Sequence, residues 1–169
     1  MALSRQQVRF VLRFALLLVL FYALTAPAAV DRAVLVPFSA ALAAVSGVVL
    51  NVMQQHVTVQ GTIISGGGFA VDIRNGCNGI EAMVFLCAAI GAFPAPWRQR
   101  LAGIGMATLA VQALNIVRIV SLYLIGRHWR SVFDTFHLAI WQTLIFAAAV
   151  FLFIAWTARA QQTNVSAPR

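Results

Sequence analysis

Apolar runs fill most of this chain, and short polar knots separate them. Residues 10–27, 101–125 and 136–156 each supply about the 20 apolar residues that cross a bilayer as a helix. Gly79–Phe93 is shorter, ~23 Å against a hydrocarbon core of ~30 Å, and becomes adequate as a span over 78–93. Pro94 and Pro96 stop it, and Arg98 and Arg100 mark a loop among headgroups. Trp97, Trp129, Trp141 and Trp156 fall near run ends, where interfacial aromatics collect. The run 34–52 carries no charge, but Ser39, Ser46, Gly47 and Asn51 dilute it, and Pro37 suits a first helical turn. It reads as an interfacial amphipathic helix, with a fifth span as the alternative. Over 56–74, Val57, Val59 and Gly61 alternate with Thr58, Gln60 and Thr62 ahead of Ser65-Gly66-Gly67-Gly68. That pattern predicts a β-hairpin around a glycine turn. Its unpaired edges exclude it from hydrocarbon. The expected fold is an all-α polytopic membrane protein over 1–169: about four transmembrane helices, the interfacial helix and a small non-cytoplasmic hairpin.

Composition agrees with a membrane solvent. Hydrophobic residues make up 62% and charged residues 9%, against about 45–50% and 25% in soluble domains. The net charge of +8 comes from arginine, with no lysine. These arginines lie singly or in small groups at the ends of apolar runs, so no basic stripe tracks nucleic acid, and membrane lipids are the expected contact. The first run, behind Arg5, Arg9 and Arg13, reads as an uncleaved signal anchor. With 34–52 lying flat, Arg98, Arg100, Arg159 and Arg169 join those three on the cytoplasmic side, seven of the twelve arginines. The spanning alternative also gives seven; only setting Arg118 aside as a site residue tips the count towards the flat arrangement. The expected location is the bacterial cytoplasmic (inner) membrane.

Three ionisable residues stand out because charge is expensive in a bilayer and marks function by default. Cys77 lies in the knot Asn75-Gly76-Cys77-Asn78-Gly79-Ile80-Glu81, Arg118 inside an apolar run, and His137 at the start of another. The alternating directions of their helices put all three at one membrane level, on the non-cytoplasmic side. A cysteine attacks as thiolate, which a helix N-terminus or a nearby cation favours and desolvation opposes. His137 suits general base and acid duty. Arg118 stays protonated, so stabilising a thiolate or oxyanion is its natural role. Glu81, one turn after Cys77, pairs with Arg118, meets a substrate cation or holds the helix. Asn115 orients Arg118 by hydrogen bonding. Cys87, between Leu86 and Ala88, reads as a small buried hydrophobe, His56 and His128 as surface residues, and Asp72 and Arg74 as hairpin surface. Cys77 and Cys87 sit ~15 Å apart on one helix, too far for a disulfide. The Cys/His spacing offers no metal site, and no cofactor is expected.

Cys77-Asn78-Gly79-Ile80, then Asn115-Ile116-Val117-Arg118-Ile119, then Phe136-His137 resemble the three motifs of the exosortase/archaeosortase family. The resemblance covers roughly 34–156. It implies a membrane-embedded cysteine protease or transpeptidase that cleaves C-terminal sorting signals of exported proteins, each with a short motif, an apolar helix and a basic tail. Many members carry Ser and Arg where this chain has Asn78 and Glu81; the Cys-Asn-Gly-Ile-Glu form is similar to the compact exosortase H type, associated with Ile-Pro-Thr-Leu signals. Two other classes fit the residues: a non-catalytic membrane assembly or export subunit glued by polar side chains, and a thiol acyltransferase using the same nucleophile.

Overall fold

A computed structural model describes residues 4–165; Arg169, counted above, lies outside them. The chain is a mainly helical, multi-pass membrane protein. Ser4 opens helix α1, Arg5–Thr25, through a capping box with Gln7. Pro27 separates α1 from α2, Ala28–Val52, which is π-wound over Asp31–Leu35 and regular over Val36–Val52. After a small sheet come α3, Ile80–Ala92, and α4, Trp97–His128, divided by Pro94 and Pro96. Helix α5, residues 130–165, begins as a 3-10 turn at Arg130–Val132, passes through a π turn at Thr135–Ile140 and runs as α-helix over Trp141–Val165. Among the described residues, four helices are long and apolar enough to cross a membrane: Arg5–Thr25, Ala28–Val52, Trp97–His128 and Arg130–Gln162.

Helix α3 is the centre of the bundle and packs against α1, α4 and α5. Its Leu86 and Ile90 meet Ala107 and Val111 of α4 and Ile145 and Ala149 of α5 in one buried cluster. Small residues allow close approach, as apolar solvent demands of packed helices. Gly103 of α4 takes the Trp156 ring where any Cβ would collide with it. Helix α1 contributes no buried residue and presents Leu12, Leu16, Val19 and Leu24 outward, as a lipid-facing helix does.

The sheet differs from the hairpin expected over 56–74. It is an antiparallel meander of three strands, β1 Thr58–Gln60, β2 Ile63–Gly66 and β3 Phe69–Asp72. The glycine turn falls at Gly67-Gly68 between β2 and β3, and a second turn at Gly61, with φ +58°, divides the segment expected to be one strand. The sheet packs on α2 and on the C-terminal part of α4, with Leu42 and Leu50 of α2, Ile64, Ile73 and Tyr123 buried together. Both amide atoms of Asn51 bond the backbone of Val57, at 2.7 and 3.0 Å, tying the end of α2 to the start of the sheet. Tyr123 donates to Gly66 O at 2.7 Å, and Arg127 donates to Gln55 O at 3.0 Å.

Charge divides between the two ends of the bundle. Arg5, Arg9 and Arg13 share a cavity with Ala92 and Pro94, so the start of α1 meets the end of α3. Arg98 and Arg100 follow at once, Arg100 bonding Gly91 O. The chain's four acidic residues (Asp31, Asp72, Glu81 and Asp134) all lie at the opposite end, beside the start of α3 and of α5.

Candidate active site

The loop between β3 and α3 is the framework of the site. Gly76 and Gly79 adopt φ of +87° and +71°, conformations in which a side chain is strained. At Gly79 space is a second reason for glycine, because a Cβ would come within 3.0 Å of Asn115 Cγ. Between them, Asn78 is fully buried, and each polar group of its side chain is occupied. Its Nδ2 donates to Ser39 Oγ and to Asn75 Oδ1, both at 3.1 Å, and its Oδ1 accepts from Ile80 N at 3.1 Å. The last bond is an Asx turn that satisfies one of the free N–H groups at the start of α3. Asn75 in turn donates to Asp31 at 2.9 Å. The loop is thus pinned to α2 at two places.

Cys77 projects from this loop to His137, with Sγ 2.8 Å from Nε2 across 60 residues of sequence. His137 rides on the π turn at the head of α5, where the Phe133 ring lies 5.5 Å from the imidazole. Arg118 is 3% exposed, an unusual burial for a guanidinium. Its Nη1 donates to Gly76 O at 3.3 Å, and its Nε has no hydrogen-bond partner. Glu81 Oε1 accepts from Gly76 N at 3.0 Å, so Arg118 and Glu81 hold opposite groups of the one residue that precedes the cysteine.

Cys77, Arg118 and His137 line one cavity of about 250 Å³, walled by Phe69 to Ile73, Ile119, Leu122 and Phe133. Burial pushes the Cys77 thiol above its ordinary value; Arg118 pulls it back, and Glu81 and Asp72 add to the rise. Desolvation wins, so the resting sulfur is a thiol that donates to His137 when Nε2 carries no proton. The arrangement places a thiol against an imidazole, beside a buried guanidinium.

Glu81 bonds the loop at Gly76 N, a contact outside the three alternatives read from the sequence, and it is not ion-paired to Arg118 among the described residues. Asn115 does not make the expected hydrogen bond to Arg118: both its amide atoms are buried without partners, beneath Gly79. Cys87 Sγ lies 3.6 Å from Thr108 Oγ1 in the bundle, away from the cavity. Asp72 and Arg74 form an ion pair, and Asp72 also accepts from Thr62 at 2.6 Å, which holds its carboxyl below the usual range. Asp72 lines the cavity too, so it is more than hairpin surface. Sequence reasoning missed Ser39, Asp31 and Gly76, and a signal was present for Asp31. Only four acids exist in the chain, and all of them gather near this site.

Neither the curated proteins nor the solved structures include a significant match. The family model for transmembrane exosortases matches residues 1–156, nearly the whole chain and all three site residues. This protein therefore belongs to the transmembrane exosortase family.

Proposed function

We propose that this protein is a cysteine transpeptidase of the bacterial inner membrane that cleaves the C-terminal sorting signal of exported proteins on the non-cytoplasmic side. The observation that carries the reading is the 2.8 Å approach of Cys77 Sγ to His137 Nε2 in a cavity shared with Arg118. The substrate presents a short motif at the cavity, followed by an apolar helix in the membrane and a basic tail. His137 takes the thiol proton as Cys77 attacks the scissile carbonyl carbon. The electron pair displaced onto the carbonyl oxygen makes an oxyanion, which Arg118, on the cavity wall, stabilises by its charge. Collapse of this intermediate breaks the C–N bond, and the leaving amine receives the proton from His137. The substrate's N-terminal part remains as a thioester on Cys77 until an acceptor nucleophile (water, a lipid amine or a glycan) releases it. Raised above its usual value by burial, the thiol needs a base at the moment of attack, and His137 is in hydrogen-bonding contact.

The test is co-expression with a protein that ends in a short motif, an apolar span and an arginine cluster. Cys77→Ser and Cys77→Ala should reduce processing by at least about a thousandfold while the enzyme still inserts in the membrane. Arg118→Lys should cost about a hundredfold, since an ammonium does not reproduce the planar donor fork. Weighing the acyl group trapped on Cys77 separates peptide cleavage from lipid acyl transfer. Undiminished processing by Cys77→Ala would sink the mechanism.

A further inference from the structure

Among the described residues, strand β3 has β2 on one side and no strand on the other. Its pairing, Ile63 with Asp72 through Gly66 with Phe69, continues into a bond from Ile73 N to Thr62 O at 2.9 Å. Backbone groups in an antiparallel pair point alternately towards and away from the neighbour. Phe69, Val71 and Ile73 therefore bond β2, while the N–H and C=O of Ala70 and Asp72 face outward. Among the described residues, no hydrogen bond within the protein engages those outward groups. The Cys77 cavity is lined by five consecutive residues of this segment, Phe69 to Ile73. A strand's face presents every second residue. Consecutive lining residues mean that the cavity follows the strand's edge. Natural proteins usually cover or blunt such an edge, because it is a ready template for another chain. Here it opens beside the cysteine, with Leu122 and Phe133 on the cavity wall.

We infer that the substrate enters as an extended segment and adds a fourth strand to β3, bonded to the outward backbone groups of Ala70 and Asp72. Strand addition supplies register as well as affinity, through main-chain bonds and pockets for alternate side chains. It carries the scissile peptide past Cys77 and lodges an apolar side chain among Phe69, Val71, Leu122 and Phe133. A substrate segment already wound into helix has its N–H and C=O groups engaged and cannot bind in this way. Cleavage therefore requires an unwound stretch ahead of the substrate's membrane helix. This inference rests on the cysteine reading above and adds the way the substrate is held.

The experiment uses the full chain in detergent with Cys87→Ala, leaving Cys77 as the single thiol. The probe is an acetylated tetrapeptide chloromethyl ketone built of Ala and Val, with a series of analogues each N-methylated at one amide; iodoacetamide serves as the small reagent. Alkylation of Cys77 by the peptide should slow about tenfold when alternate amides are methylated, and change little at the amides between them. Ala70→Pro removes one outward N–H and leaves the ladder to β2 intact. It should lower the peptide rate about tenfold relative to the iodoacetamide rate of the same variant. Uniform or absent sensitivity to N-methylation overturns strand addition, as does a peptide that fails to label while iodoacetamide labels; both leave the cysteine reading standing. Failure of both reagents to reach Cys77 overturns strand addition together with the cysteine reading.

Discussion

Cys77 sits between opposed influences, and their balance sets how it reacts. Burial raises its pKa, Arg118 lowers it, and Glu81 and Asp72 raise it again. Removing the positive charge leaves only terms that disfavour the thiolate. Arg118→Gln should therefore move the rise of Cys77 alkylation with pH to higher pH, and slow alkylation at any fixed pH below that rise. Iodoacetamide kinetics across a pH series check this; a shift to lower pH would contradict the assigned role of the arginine. The three residues that meet in the cavity stood out in the sequence because ionisable groups in apolar runs are few. Asn115 was legible as a polar outlier, but its role was not. Its amide is unbonded, and only the positive φ of Gly79 and the 3.0 Å spacing explain why the two residues accompany each other. That contact is made across the fold and leaves no local pattern.

At the scale of elements, the site depends on how three of them meet. The loop before α3 is fastened to α2 through Ser39 and Asp31, and His137 arrives on α5. Ser39→Ala leaves Asn78 with one partner fewer in a fully buried place. It should cost about 1–2 kcal/mol, measured by thermal unfolding in detergent. The same variant should loosen Cys77, seen as faster alkylation; unchanged stability and rate would mean that α2 does not brace the loop. The apolar runs located the helices, but length did not sort the spans: among the described residues Ala28–Val52 is long enough to cross, whereas the expected span over 78–93 is the 13-residue helix Ile80–Ala92. The sheet was less legible, because Gly61 sits inside a period-2 run and looks like a strand residue until its φ of +58° is known. A glycine in such a run marks a turn or bulge as readily as a strand interior. The π turn at Thr135–Ile140 had no sequence signature that we recognise.

For the whole molecule, the question is which helices cross. Helix α4 has 32 residues, ~48 Å of helix against a hydrocarbon core of ~30 Å, so one end stands clear of the bilayer. The sheet and α2 pack around its C-terminal part. The start of α2 is tied to the site loop and its end to the sheet. We propose on that basis that α1, α3, α4 and α5 cross, while α2 stays with the sheet on the non-cytoplasmic side despite being long enough to span. In a chain lacking its two natural thiols, Gln60→Cys should react with a membrane-impermeant maleimide in intact cells, whereas Gln6→Cys should react only after the inner membrane is opened. Reaction of Gln60→Cys only after opening would reverse the orientation.

The separation of charge between the two ends has an energetic consequence in a living cell. On this topology, six arginines of the described residues (Arg5, Arg9, Arg13, Arg98, Arg100 and Arg159) lie at the cytoplasmic end. The other end sets Arg32, Arg74, Arg118, Arg127 and Arg130 against four acids, leaving +1. Counted over the side chains of the described residues, inversion would move a net five charges (6 − 1) outward against an inside-negative potential. At about 2.3 kcal/mol per charge for each 100 mV, that opposes inversion by on the order of 10 kcal/mol. On the proposed topology, an energised membrane would act as a standing orienting field that favours the arginine end inside.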